Sequence, residues 1–245
     1  MQKIKLGAIK EQSYTMKESL RALRTNIQFC GDDIKTIMFT SAQPNEGKST
    51  VVMDLGRSLA ELGKKVLIID TDMRKSVLAG RLRAKIVDGY EIVGLSHYLS
   101  GQTKLEDVIY HTNIKGLFMV FAGRSTPNPT EMLEKDYFEQ MISAARDTFD
   151  YVLVDTAPIG AAIDAAIVGK NCDGAIIVVA QGEAGARAIK NVKRQLEIAD
   201  IHILGAVLNK VQAKQSHYGK YYGSYYGNYY GSYYGNYGHE KEADK

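Results

Sequence analysis

The chain alternates between two hydrophobic patterns. In short runs nearly every residue is apolar, and in longer stretches apolar residues return every three or four positions. Runs of the first kind lie at 35–40, 66–70, 117–122, 151–155, 175–180 and 203–208. In Val66-Leu67-Ile68-Ile69 and Ile176-Ile177-Val178-Val179 no polar residue interrupts. A strand apolar on both of its alternating faces is buried on both. Helical spacing fills the intervals at 48–62, 129–147, 159–170 and 184–199. Regular alternation of strand and helix predicts an α/β domain with a mostly parallel sheet, right-handed crossovers and helices on both faces. Ligands of such a sheet gather at the carboxyl ends of its strands. One more helix is expected at 13–29, with Ser13 as N-cap and Leu20, Leu23 and Ile27 as its apolar stripe.

The alternation stops after Asn209. Positions 218–237 repeat Gly-x-Tyr-Tyr, with Lys, Ser or Asn at x, and hold ten of the chain's 16 tyrosines. They are Tyr218, Tyr221, Tyr222, Tyr225, Tyr226, Tyr229, Tyr230, Tyr233, Tyr234 and Tyr237. With no aliphatic residue and a glycine at every fourth place, this stretch cannot bury enough apolar surface to offset the entropy of ordering, and disorder is expected. The organisation that follows is an N-terminal segment with a helix (1–30), a folded domain (31–212) and a Tyr/Gly-rich tail (213–245).

Between the first strand and the next helix stands Ala42-Gln43-Pro44-Asn45-Glu46-Gly47-Lys48-Ser49, which fits the P-loop pattern with Ala in the first Gly position. Backbone amides of such a loop and of the helix N-terminus point at phosphate, and the helix dipole favours its charge. Lys48 is placed to reach the β- and γ-phosphates, Ser49 to give Mg²⁺ a hydroxyl and Thr50 to bond the α-phosphate. The nucleotide-contacting set is therefore Ala42, Gln43, Asn45, Glu46, Gly47, Lys48, Ser49 and Thr50. The expected fold is that of the P-loop NTPases, and the expected cofactors are ATP and Mg²⁺.

Two other strand ends carry carboxylates, in Asp70-Thr71-Asp72-Met73-Arg74 and in Asp155-Thr156-Ala157-Pro158. In a parallel sheet both ends share the P-loop's edge, so Asp70, Asp72 and Asp155 are expected to converge on one Mg-nucleotide. A lone Asp at a strand end is usually a turn former, but two such ends in a P-loop chain point to metal and catalysis. Mg²⁺ takes one or two carboxylates together with phosphate oxygens and water. Asp70 and Asp72 flank one residue and point to the same side in extended chain, so one can serve the metal while the other accepts a proton. A tyrosine hydroxyl, with a pKa of about 10, suits a modest base.

These residues resemble the bacterial tyrosine kinases of capsule and exopolysaccharide systems, over nearly the whole chain. The resemblance rests on the P-loop at 42–49, the Asp70/Asp72/Arg74 motif, the Asp155…Pro158 motif, the Glu18/Arg21/Arg24 motif and the tyrosine-rich C-terminus; the segment Pro127-Asn128-Pro129-Thr130-Glu131 also looks like this family. It implies autophosphorylation of tail tyrosines between neighbouring subunits, with Lys48, Asp70, Asp72 and Asp155 as the catalytic set. Asp70 would be the base, with Ser49, Asp72 and Asp155 organising Mg²⁺. Glu18, Arg21 and Arg24 would assemble a ring. A separate membrane protein of the chain-length-regulator type would activate the kinase, a phosphotyrosine phosphatase would oppose it, and the output would be control of polysaccharide synthesis and chain length. Ser76 and Ala157 depart from the family by standing where proline is expected, and neither is expected to touch a catalytic group.

Several side chains admit a plainer reading. Glu18, Arg21 and Arg24 could be a solvated helix face with one weak ion pair. Asn209 could bond adenine or simply end a turn, and Arg74 could steer phosphate or cap a loop. Cys30 and Cys172 are too isolated for a disulfide framework or a metal site. A net charge of +3 gives no reason to expect nucleic acid. No apolar run approaches the roughly 20 residues of a membrane span, and the N-terminus lacks a signal peptide's apolar core. The chain is therefore expected in the cytoplasm, reaching the membrane through its partner. From Lys210 to Tyr225 an extended chain spans at most about 50 Å, which allows transfer within or between subunits. Phosphates on the tail are expected to loosen a ring by charge repulsion. Two alternatives remain. A P-loop ATPase switch of the septum-positioning or partitioning type would carry lysine where Gln43 stands. A scaffold would use the tyrosine repeat as a sticky surface and need no phosphate there.

Overall fold

The computed structural model describes residues 1–212 apart from 88 and 90. In chain order the elements are β1 (Gln2–Lys5), α1 (Tyr14–Phe29), β2 (Thr36–Ser41), α2 (Lys48–Ala60), β3 (Val66–Asp70), α3 (Leu78–Arg81), β4 (Lys85–Ile86), α4 (Leu95–Leu99), α5 (Leu105–Val108), β5 (Tyr110–Thr112), β6 (Leu117–Val120), α6 (Pro129–Leu133), α7 (Asp136–Thr148), β7 (Tyr151–Asp155), α8 (Asp164–Gly169), β8 (Gly174–Ala180), α9 (Ala186–Ile198) and β9 (Ile203–Asn209). The strands form one sheet in the order β4-β1-β5-β6-β3-β7-β2-β8-β9. Its centre, from β6 to β9, is parallel throughout. Antiparallel pairing occurs where β4 meets β1 and where β5 meets β6.

The apolar runs explain the layers. Along β3, Leu67 and Ile69 enter one core while Val66 and Ile68 enter the other. Along β7, Val152 and Val154 take the first core and Leu153 the second. One core is closed by α4 to α9, through residues such as Phe138, Val168 and Leu196. The other is closed by α1 and α2, through Leu20, Ile27, Val52, Leu55 and Leu59. Each such aliphatic side chain contributes about 1.5–3 kcal/mol on full burial. Ser13 caps α1, its side chain accepting from the Met16 amide.

Three strands escaped the hydrophobic pattern. In β1 only Ile4 is buried, and β4 and β5 are two and three residues long. Residues 1–30, expected as a segment apart, place β1 in the common sheet and α1 on its face. The helix expected at 129–147 is two helices, because Lys135 adopts an extended conformation (ψ 150) between them. The helix expected at 159–170 begins only at Asp164. Among the described residues no helix is long and apolar enough to cross a membrane.

Candidate active site

The P-loop bridges β2 and α2 at the carboxyl edge of the sheet. Gly47 precedes α2 with φ +92, and a Cβ there would stand 2.1 Å from Nδ2 of Asn209. Glycine is needed both for the left-handed backbone and for that approach. The loop folds close against the chain after β7, where a Cβ on Gly160 would meet the Ala42 carbonyl oxygen at 2.3 Å. No side chain caps α2, so its first-turn amides and dipole are left to an incoming anion. Lys48 is nearly buried at 8% exposure, Ser49 is half-buried, and Gln43, Asn45 and Thr50 are exposed.

Glu46 behaves differently from the nucleotide contact expected of it. It is fully buried, and its carboxylate accepts from the Gln43 amide (2.7 Å) and the Ala180 amide (3.3 Å). Both oxygens are spent bracing the loop against β8. Asn209 completes the brace by donating its side-chain amide to the Glu46 carbonyl at 2.9 Å. The chain leaving β9 therefore starts beside the P-loop.

Register brings the carboxylates together: Asp70 of β3 lies opposite Asp155 of β7. They are 1% and 2% exposed. Thr71 ties the two strand ends, its amide and hydroxyl both donating to the Asp155 carbonyl at 2.9 and 2.8 Å. Burial pushes the Asp70 carboxyl up to about 8, with the Asp155 charge adding and hydrogen bonds from Ser76 and the Asp72 amide opposing. Burial also raises Asp155, to about 6, against the Ser49 hydroxyl and the Lys48 ammonium. Asp155 Oδ1 is buried without a hydrogen-bond partner. An orphaned carboxylate oxygen beside Ser49, Lys48 and uncapped helix amides is the donor set that a cation with phosphate needs. Among the described residues no three carboxylate, imidazole or thiol groups cluster in metal-binding geometry. A Mg²⁺ here would accordingly draw most of its ligands from phosphate oxygens and water.

Asp72 is half-buried and close enough for its charge to act on both Asp70 and Asp155. Its carboxylate accepts from the Lys75 amide at 3.0 Å, while its own amide donates to Asp70 at 3.1 Å. Ser76, expected to be remote from the catalytic groups, donates its hydroxyl to Asp70 Oδ2 at 2.5 Å. A proline there could not make this bond. Arg74 is committed to a carboxylate partner. Its guanidinium meets both oxygens of Asp164 (2.6 and 3.0 Å), and Thr130 donates to the same carboxylate at 2.7 Å. Asp164 is 3% exposed. Burial acts to raise its pKa, but hydrogen bonds from Arg74 and Thr130 outweigh it and hold the carboxyl below its ordinary value. Asp164 was missed in the sequence because its partner lies 90 positions away. This cluster pins the Asp70–Arg74 loop to the Pro127–Glu131 segment and to the start of α8.

On α1, Arg21 pairs with Glu18 at 2.7 Å on the exposed face. Arg24 turns inward and donates to the Ser58 carbonyl (2.7 Å) and hydroxyl (2.8 Å), joining α1 to α2. The ten tail tyrosines lie outside the described residues.

Comparison with known proteins agrees with this geometry. Residues 34–202 match the AAA domain family. The tyrosine-protein kinase CpsD of Streptococcus agalactiae serotype III (strain NEM316) is 42% identical over 208 residues, covering 85% of this chain and 88% of that protein. The kinase domain of Escherichia coli tyrosine kinase ETK superposes with a TM-score of 0.76 at 34% identity, covering 82% of this chain and 78% of that one. The septum site-determining protein MinD of Pyrococcus horikoshii OT3, solved with Mg-ADP, is less similar: TM-score 0.60 and 26% identity, over 75% of this chain and 72% of that one. The shared fold is one that binds nucleotides, and the similarity favours the kinases over the septum-positioning switch.

Proposed function

As a member of the bacterial tyrosine-protein kinase family, this chain phosphorylates tyrosine, and we propose that its principal acceptors are the ten tyrosines of its own residues 218–237, modified between neighbouring copies. The observation that carries this is the placement of β9. Asn209 is hydrogen-bonded to the P-loop backbone, so the chain running on to the tyrosine repeat departs from the edge that holds Lys48, Asp70 and Asp155.

Bound MgATP supplies the transferable phosphoryl group and a cation to neutralise its charge. Lys48 and the first-turn amides of α2 would hold the phosphates, with Thr50 at the α-phosphate and Asn209 towards the adenine. Ser49 and Asp155 would hold the cation, assisted by Asp72. Asp70 accepts the proton of the incoming tyrosine hydroxyl. The ionised form of a carboxyl whose pKa burial has raised is a stronger base, and so better matched to a phenol of pKa about 10, than an ordinary carboxylate. Burial of Asp70 and Asp155 excludes water, which strengthens each of these charge interactions.

Glu18, half-buried, and Arg21, exposed, are the side chains on α1 available to a neighbouring subunit in a ring; Arg24 supports that face from within. The wider reading is carried over from the family resemblance. A separate membrane protein recruits the kinase to the inner face of the membrane and activates it, a phosphatase resets it, and the cycle sets extracellular polysaccharide synthesis and chain length.

The test is intact mass after incubation with MgATP across a range of protein concentrations, with Lys48→Met alongside. A ladder of phosphates in the wild type only, mapping to 218–237 and rising more steeply than first order in protein, is expected. Steady ADP release with no phosphotyrosine, even with the cytoplasmic segment of the membrane partner present, would overturn the assignment.

A further inference from the structure

We propose that the exposed face of α9 is a docking surface for the phosphorylated form of this chain's own Gly-x-Tyr-Tyr segment. Arg187, Lys190 and Arg194 recur at helical spacing and line, with Gly185, Ala188 and Asn191, a shallow concavity of about 750 Å³. All three cations are exposed. None is paired with a carboxylate among the described residues. The two nearby glutamates are engaged elsewhere, Glu183 with Lys210 at 2.7 Å and Glu197 with Lys193. Nothing on the helix neutralises the stripe.

This arrangement costs the helix stability. Arg187 stands in the first turn of α9, which contains no acidic residue, where the helix dipole disfavours a cation. Solvation of the exposed face alone would be served as well by mixed charges. An anionic ligand resolves the conflict.

Position and charge select the occupant. Lys210, the first residue after β9, is ion-paired to Glu183, four positions before Arg187. From Lys210 to Tyr218 the extended chain spans about 28 Å, whereas the 13 residues of α9 are about 20 Å long. The repeat is therefore within reach of the stripe from its own chain and of a neighbour's stripe in an oligomer. Unmodified, the segment has little to attract it: Lys214, Lys220, Lys241 and Lys245 face Glu240, Glu242 and Asp244 in the sequence after 210. Each phosphotyrosine adds about −1.5 to −2 charges and oxygens suited to guanidinium forks. Spacing also fits. Arg187 and Arg194 are about 10 Å apart along the axis, and equivalent tyrosines of successive repeats are about 13–14 Å apart in extended chain. Two phosphates can thus engage both ends of the stripe together.

The inference concerns the product of the activity proposed above, and its test does not depend on that activity. A dye-labelled synthetic peptide of residues 221–230, with phosphate placed chemically on Tyr222 and Tyr226, is titrated with phosphatase-treated full-length protein and followed by fluorescence anisotropy. The wild type should bind the phosphopeptide and not its unmodified twin. Arg187→Ala/Lys190→Ala/Arg194→Ala should weaken binding by about tenfold or more. A control losing equal charge elsewhere, Lys104→Ala/Lys115→Ala/Lys170→Ala, should stay within about twofold. Equal weakening in both triple variants, or no phosphopeptide binding by the wild type, would overturn the proposal. So would loss of binding to phosphatidylserine vesicles in the α9 variant with phosphopeptide binding intact, which would make the face a membrane contact. A kinase-inactive chain can still pass, and a chain that phosphorylates its tail can still fail.

Discussion

Two buried acidic centres lie along the same sheet edge and are built in opposite ways. Around Asp164, Arg74 and Thr130 satisfy both carboxylate oxygens, and the carboxyl is held below its ordinary pKa. At Asp70 and Asp155, two carboxyls face each other across neighbouring strands, burial drives both upward, and Asp155 Oδ1 has no partner. A fold that only had to be stable would not retain the second arrangement, because a buried carboxylate compensated only in part costs free energy. The fully compensated centre holds the loops in place, and the partly compensated one is reserved for a cation and a reacting hydroxyl. Burial alone would not separate the two roles; the hydrogen-bond inventory does.

The comparison breaks most sharply in the rate. Asp155→Asn should lower tyrosine phosphorylation by about 10²–10³-fold, measured as phosphate incorporated per minute. Asp164→Asn should act mainly on stability. Arg74 would lose its charged partner, and because its guanidinium side is 42% exposed, the loss should be about 1–3 kcal/mol, less than for a fully buried pair. In a thermal melt that is several degrees for a chain of this size. The pH dependence of the same pair sharpens the point. A carboxyl whose folded pKa is depressed stabilises above its unfolded value, near 3.9, and loses that contribution as pH falls through the folded one. The stability gap between wild type and Asp164→Asn should therefore be full at pH 6 and close progressively below about pH 4. Ser76→Ala should have a smaller, several-fold effect on rate with little change in melting, because it frees Asp70 without unpairing a charge, and Ser76→Thr should restore the rate. Smallest of all, Arg24→Ala should cost about 1 kcal/mol through its bonds to Ser58, while Arg21→Ala, at an exposed ion pair, should leave monomer stability unchanged.

The sheet's centre was legible because its signals are local. Val66–Asp70 and Tyr151–Asp155 were bounded to the residue, since each is an apolar run ended by an aspartate. Ser13 announced α1 in the same way. The periphery was not legible. A strand such as Gln2–Lys5 buries one side chain, too little for a pattern, and joins the sheet because β4 and β5 flank it. The break at Lys135 has no proline or glycine to mark it. At the site, the P-loop and the three aspartates were readable as motifs. Glu46 as a brace, Ser76 as a donor to Asp70 and Asp164 as the partner of Arg74 depend on which distant segments meet, and no spacing in the chain encodes that.

The most direct test is the melting temperature of Asp155→Asn against wild type, without nucleotide, near pH 7.5. Removing a buried charge that Ser49 and Lys48 compensate only in part should leave the melting temperature unchanged or raise it, even as activity collapses. A fall of several degrees would contradict the reading of Asp155 as a site held open at the fold's expense, and would class it with Asp164 as a structural carboxylate.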